Sequence, residues 1–407
     1  MAIHFEEDKI KREIKHLKHN LNLQNVSFEN FTVFMRLEDQ KFLYLYEDEE
    51  IQIIDNEALK EKSSLIFRIF KEKKDRDVIV ISQPFYAMKM LAEKKDVEPV
   101  LDDLPQMVGM KCKVCPGNES DIILKILQKN DAVLLYNFNL NQNGLLVLSP
   151  SIERALAAIL IVEKSSQAMI ESKIIGGAKP LPHSICRFYR NNYLNNYSKV
   201  DKQVNSQNAD DIPRPIDEDE LCLRQQLVDY GIALLENNLT LGTWGNLSLR
   251  LDENYMLITP SAMAYDRLTP YDMVRVNCHT LEYEGRLKPS VETGFHAAIY
   301  VKHKAIGGII HTHSFNGSVF AAANQDMPIV MPEAIPVLGP KTGYVPYHKA
   351  GTEELAKAVT EAITEDVWSA IMGSHGMVCC GKDLPDTFNR IKLMDKAARY
   401  YFDMHSA

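Results

Sequence analysis

Over Leu221–Asn237 apolar residues recur at helical spacing, and short apolar or alternating runs then take over. Those runs are Leu247–Asp252, Tyr255–Thr259, Val274–Cys278 and Thr280–Glu284, and a second amphipathic stretch follows at Phe295–Lys302. The connections between paired runs are too short for a crossover, so neighbouring strands must pair antiparallel. Each half of the chain reads as helix, two or three strands, helix, strand, loop, helix, strand and a long helix. The pattern predicts an α/β protein, a three-layer αβα arrangement around a central, largely antiparallel sheet, in two tandem copies. No Gly-rich dinucleotide fingerprint and no P-loop argue for a parallel sheet instead.

The tandem reading rests on three blocks in the same order. Ile10–Leu21, Asn22-Leu23 and Glu29–Phe34 match Leu221–Asn237, Asn238-Leu239 and Gly245–Arg250 at an offset of 216. Asp77–Ser82 matches Gly307–His313 at an offset of 231, and Ala155–Ser166 matches Phe388–Ala398 at 232. The plainer alternative is two α/β domains that merely share element spacing; the common order favours duplication. Asp201–Glu220 is polar, acidic and carries two prolines, so it reads as a linker between a domain over 1–200 and one over 221–407.

Composition narrows the function without naming it. With 407 residues the chain is long enough for two domains, and 45% hydrophobic and 25% charged residues are typical of globular proteins. A net charge of −9 argues against general nucleic-acid binding but leaves room for a small phosphorylated ligand. The first residues lack the apolar core of a signal peptide, and the longest apolar run, Ala155–Val162, is too short to span a bilayer. Seven cysteines fit a reducing compartment, so a cytoplasmic protein without membrane partners is expected. Cys112 and Cys115 have the spacing of a zinc or redox pair but lack completing ligands, and Cys379-Cys380 reads as core.

The chemistry concentrates in the second half. His311-Thr312-His313 closes the apolar run Ala305–Ile310, and residues i and i+2 of a strand face the same way, so both imidazoles can reach one cation. His375 follows a later apolar run, and Glu292 stands in Lys288-Pro289-Ser290-Val291-Glu292. Three histidines with an open position and a nearby carboxylate suit a catalytic divalent metal, Zn2+ or another. Gly245-Asn246 and Thr259-Pro260-Ser261 offer close backbone approach and hydroxyl or amide groups for an anion. Ser290 can cap the helix that follows or hold an anion at its positive end. Singly, each feature has an ordinary structural reading; His296 and His303 read as structural, and only the ordered set points to catalysis.

That ordered set resembles the class II aldolase/adducin family. GTWGNLS, ITPS, KPSVE, HTHS, GYVPYHKAGTEE and GSHG occur in the family's order over about Leu221–His405. The resemblance implies His311, His313 and His375 as metal ligands and Glu292 as general acid/base. It implies Gly245, Asn246, Ser261 and Ser290 as the cradle of a sugar phosphate or aldehyde substrate. It also implies a homo-oligomer, either a tetramer or a dimer resembling a four-domain ring. The implied reaction makes or breaks a carbon–carbon bond through a metal-stabilised enediolate. The family's epimerases carry Asp where this chain has Glu292, which favours an aldolase over an epimerase. A dehydratase and a non-catalytic, adducin-like scaffold are the competing readings.

Departures are Ala262 and Val291, where the family places Gly and Ser, and the absence of its acid/base tyrosine from Met331–Leu338. Tyr344 and Tyr347 lie nearby without an assigned part. The chain closes soon after the last helix, so a C-terminal contribution to the pocket is expected to be missing. The first half resembles the family more faintly, over Ser82–Met169. The offsets put Val80, Ser82 and Phe138 at the metal positions, Glu29 at the Gly245 position and Glu61 at the Glu292 position. None of the first three is a ligand for a zinc-like ion, so the first half is expected to be a degenerate, metal-free copy.

Overall fold

The computed structural model describes residues 31–37, 40–46, 51–138, 143–195, 215–240 and 242–405. The expected helix over Ile10–Leu21, Glu29 and most of the expected linker lie outside these residues. The chain divides into two compact units, Met1–Ile170 with Pro180–Asn191, and Glu171–Lys179 with Asn192–Ala407. Among the described residues no helix is long and apolar enough to cross a membrane.

The first unit is built on β1 (Thr32–Arg36), β2 (Phe42–Tyr46), β3 (Gln52–Ile54), β4 (Val78–Ser82), β5 (Lys113–Pro116), β6 (Ala132–Tyr136) and β7 (Gly144–Ser149). Its helices are α1 (Asn56–Lys62), α2 (Ser64–Glu72), α3 (Phe85–Ala92), α4 (Asp103–Met107), α5 (Ser120–Leu127), α6 (Ile152–Glu171) and α7 (His183–Asn195). Strand order is β3-β2-β1-β4-β7-β6-β5, and only the β5·β6 pair is parallel. Ser63 ends α1 and starts α2, its hydroxyl accepting from the Ile66 amide. The apolar stripe of α2 (Leu65, Ile66, Ile69, Phe70) then packs with Ile79 and Ile81 of β4.

The second unit contains β8 (Asn246–Arg250), β9 (Tyr255–Ile258), β10 (Val274–Asn277), β11 (Tyr283–Glu284), β12 (Gly308–Thr312), β13 (Gly343–Val345), β14 (Ser369–Met372) and β15 (Gly376–Gly381). Around them lie α8 (Glu218–Glu236), α9 (Thr293–Lys302), α10 (Phe315–Ala323), α11 (Ile335–Leu338), α12 (Glu353–Ala362) and α13 (Leu384–His405). Strand order is β11-β10-β9-β8-β12-β15-β14-β13, again with one parallel pair, β13·β14. Both predicted hairpins, β8–β9 and β10–β11, are present. Helices cover both faces: α9 and α12 share a core with Ile309, Val378 and Cys380, while α10 and α13 pack against β12 and β15 on the other side.

Strand for strand, and apart from the extra β11, the two sheets have one order and one set of orientations. Two side chains repeat with them. Arg36 donates to the Phe70 and Lys73 carbonyls at the end of α2 (2.7 and 2.9 Å), and Arg250 donates to Tyr300 and His303 at the end of α9 (2.8 and 2.9 Å). Glu163 accepts the Tyr86 and Ala87 amides at the start of α3, and Asp395 accepts from Asn316 at the start of α10.

These anchors correct the equivalences read from the sequence. His311 pairs with Asn246 and Val378; the residue with the matching partners in the first unit is Ile81, opposite Thr32 and Leu146. The offset read from the sequence is therefore one residue off for β4, so Ile81 and Gln83, not Val80 and Ser82, answer to His311 and His313. A one-residue slip moves every side chain to the other face of a strand. Counted back from the carbonyl that each arginine holds, Glu292 answers to Lys62, not to the exposed Glu61. Phe138 is a buried core residue. The start of the second unit differs too: α8 begins at Glu218, inside the expected linker, because Asp217 accepts from the Glu220 amide at 2.8 Å and three acidic residues occupy the first turn.

Cys112 and Cys115 are both buried and free, and burial pushes both thiols up. No metal-ligand cluster forms around them among the described residues. Cys379 and Cys380 are buried in β15 as expected.

Candidate metal centre

The four elements that meet here each place one group. Strand β12 delivers His311 on the same face as Ile309, beneath α9. His313 lies just past the strand, before Ser314, whose hydroxyl accepts from the Gly317 amide and starts α10. His375 ends the three-residue turn Gly373–His375 between β14 and β15, with Ser374 in the left-handed region at φ +53°. Glu292 is the last residue before α9 and is 5% exposed.

The groups converge tightly. His311 Nδ1 donates to the Met377 carbonyl at 2.8 Å, which leaves the lone pair on Nε2. That nitrogen stands 3.0 Å from Nε2 of His313 and 3.0 Å from Nε2 of His375. Glu292 Oε2 lies 3.3 Å from His311 Nε2, and Oε1 lies 3.1 Å from His375 Nε2. All three rings are buried, and burial pushes the His311 imidazole down to about 3, further than Glu292 raises it. Burial opposes ionisation of Glu292, but the facing His311 and His375 rings and the Asn246 amide outweigh it and hold the carboxyl well below its usual range. Three buried ring nitrogens and a carboxylate aimed at one point are the donor set of a divalent cation.

The anion-binding candidates lie around this point. Gly245 has φ +82°, and a Cβ there would stand 2.5 Å from the His311 carbonyl, so only glycine lets β8 enter beside the ligand strand. Asn246 Nδ2 donates to Glu292 Oε2 at 2.8 Å. Ser261 and Ser290 sit on two loops tied together, the Ser261 amide to the Lys288 carbonyl and the Ser290 amide to the Thr259 carbonyl. Ser290 does not cap α9: its hydroxyl accepts from the Glu292 amide at 3.3 Å, and Glu292 itself occupies the cap position. Ser290 stands two residues ahead of the cap position, so its hydroxyl bonds the Glu292 amide before the helix begins. Ala262 is strained at φ +59°.

Sequence reasoning missed three groups. His296, set aside as structural, is fully buried with Nε2 2.5 Å from Asn246 Oδ1 and Nδ1 2.6 Å from Ser248 Oγ. Ser248 Oγ in turn lies 2.9 Å from the Tyr300 hydroxyl. Their signal was present: His296 and Tyr300 share one face of a helix, and Ser248 shares a strand face with Asn246. Tyr344 has its hydroxyl beside Gly373, two residues from His375.

These motifs have known counterparts. The description Class II Aldolase and Adducin N-terminal domain matches residues 225–402, which include all eight expected site residues. The chain is 31% identical over 173 residues to an L-fuculose phosphate aldolase of Methanococcus maripaludis, covering 42% of this chain and 92% of that protein. It is 29% identical over 184 residues to a 5-deoxy-D-ribulose 1-phosphate aldolase of Bacillus thuringiensis, covering 45% and 85%. An L-ribulose-5-phosphate 4-epimerase of Salmonella paratyphi B is 31% identical over 196 residues, covering 44% and 82%. A solved L-fuculose 1-phosphate aldolase aligns with a TM-score of 0.43 and 28% identity over 47% of this chain and 88% of its own. The chain belongs to the class II aldolase and adducin family.

Proposed function

We propose that the second unit is a cytoplasmic, metal-dependent aldolase that makes or breaks a carbon–carbon bond in a small sugar phosphate through an enediolate. The observation that carries this reading is the convergence of three buried imidazole nitrogens and one carboxylate on a single point. His311, His313 and His375 would hold the ion, and an all-imidazole set suits Zn2+. When bound, the ion supplies Lewis-acid stabilisation of negative charge on substrate oxygens. Glu292 takes and returns the proton at the neighbouring carbon. Its Oε2 is anchored by Asn246, which leaves Oε1 as the working oxygen. The Gly245 backbone, Asn246, Ser261 and Ser290 orient the substrate's anionic end. An adducin-like scaffold would have no use for an intact four-member site. Epimerisation is the second reading, because one relative is a 4-epimerase.

We read the first unit as a degenerate copy of the second, the catalytic one, whose leading helix α8 begins at Glu218. The shared strand order, the Arg36/Arg250 pair and the Glu163/Asp395 pair support that origin. Two chains would then bring four such domains into one homo-oligomer.

A retro-aldol screen of the zinc-loaded protein with ketose 1-phosphates tests the reading. Release of dihydroxyacetone phosphate is expected. Metal-loaded protein that leaves every ketose 1-phosphate intact, or that only epimerises a pentulose 5-phosphate, would overturn it.

A further inference from the structure

We infer that His296 is a positioning residue that fixes the orientation of Glu292 from one tautomer, with Nε2 protonated. The inference deepens the reading of Glu292 as the acid/base and rests on it.

The Asn246 side-chain NH2 donates to Glu292 Oε2 at 2.8 Å. Asn246 Oδ1 then faces His296 Nε2 at 2.5 Å, and an amide oxygen needs a donor, so Nε2 carries the proton. Burial pushes His296 down to about 3, so the ring is neutral and its Nδ1 is an acceptor. Ser248 Oγ, 2.6 Å away, must donate to it, and Ser248 must accept from the Tyr300 hydroxyl at 2.9 Å. Burial pushes the Tyr300 hydroxyl well up, so it stays a donor. Every bond in the series Tyr300, Ser248, His296, Asn246, Glu292 therefore points the same way, toward the carboxylate. Reversing any one leaves two donors or two acceptors facing each other in a dry interior, at a cost of about 1–3 kcal/mol.

The consequence concerns the working oxygen. With its amide pinned from behind, Asn246 cannot flip, so Glu292 keeps Oε2 between Asn246 and His311 and turns Oε1 toward His375. His296 touches neither the imidazole cluster nor the anion-binding loops by any hydrogen bond seen among the described residues. Its influence runs through Asn246.

Nitrogen NMR of full-length protein labelled at histidine reads the tautomer directly, assigned by loss of the signal in His296→Gln. A pyrrole-type Nε2 with a pyridine-type Nδ1 is expected, and in Ser248→Ala the signal should move toward a mixture of tautomers. Zinc affinity, measured by chelator competition, supplies the second readout. His296→Leu, which cannot hold Asn246, should weaken zinc binding about tenfold or more, whereas His296→Gln, whose side-chain amide puts an N–H near the former Nε2, should stay within about threefold of wild type. A protonated Nδ1 in the wild type overturns the inference, and so do equal losses in the Gln and Leu variants. If His296→Leu fails to fold, the wild-type tautomer and the Gln variant still decide. Neither readout needs turnover, so an inactive but zinc-binding wild type would sink the aldolase reading while leaving the positioning claim to be judged on its own.

Discussion

Two sheets of one strand order carry different chemistry at the same place. Where β12 runs into His311 and His313, β4 runs through Ile81 toward Gln83, and where Glu292 precedes α9 the first unit has Lys62, its ammonium 4.0 Å over the Tyr44 ring. Ile81 is 2% exposed and belongs to the apolar core under α2, so the space that holds an imidazole in one sheet is closed by aliphatic packing in the other. The devices that hold helices to sheets are kept in both: an arginine on the last carbonyls of one helix and a carboxylate at the start of the next. The difference teaches that scaffold and site are separable here. The scaffold depends on backbone groups that any copy of the fold must satisfy, whereas the site depends on four side chains that packing does not require.

That separation can be broken at several points. His311→Ala or His313→Ala should abolish stoichiometric metal binding and lower aldol cleavage by about a thousandfold or more, with the second unit still folded. Calorimetry showing collapse of that unit instead would mean that site and scaffold are one. Arg250→Met and Arg36→Met should each cost about 3 kcal/mol, because each strips charged hydrogen bonds from helix-end carbonyls. Denaturant melts in which one arginine matters and the other does not would break the equivalence on which the comparison rests.

Glu163 offers a pH test specific to the first unit. Burial raises its carboxyl from 4.5 to about 7, more than its bonds to the Tyr86 and Ala87 amides lower it. The folded state therefore holds the proton longer than the unfolded state does. Its contribution to stability is full below about 4.5, is lost as pH climbs toward 7, and changes no further above that. Between pH 5 and 8 the loss should be roughly 2 kcal/mol, and Glu163→Gln should flatten it. An unchanged slope in the variant would assign the pH dependence to other groups. Smallest of all, Ala262→Gly should stabilise the second unit by about 1 kcal/mol by relieving the left-handed strain at that residue, and a lower melting temperature would contradict the strain.

Much of this was readable in the sequence because it lies in local signals. The strand face of His311 and His313, the hairpins and the ordered motifs all survive in the structure. The repeat register was harder. Both β4 and β12 are buried along their whole length, so neither shows the alternation that tells one face from the other, and an offset wrong by one residue looks equally good. Ser290 looked like a cap because it stands just ahead of a helix, but Glu292 turns inward and takes the cap position itself. The His296 series was invisible for another reason. Its members come from a strand and a helix some fifty residues apart, and only the folded register brings Ser248 and Asn246 against His296.

The number of metal ions that one chain binds decides whether the second unit alone holds a site. Metal analysis of full-length protein, loaded with zinc and freed of excess, should give one equivalent per chain, and none in His311→Ala or His313→Ala. Two equivalents would contradict the claim that the first unit holds no site, and none in the wild type would contradict the claim that the second unit holds one.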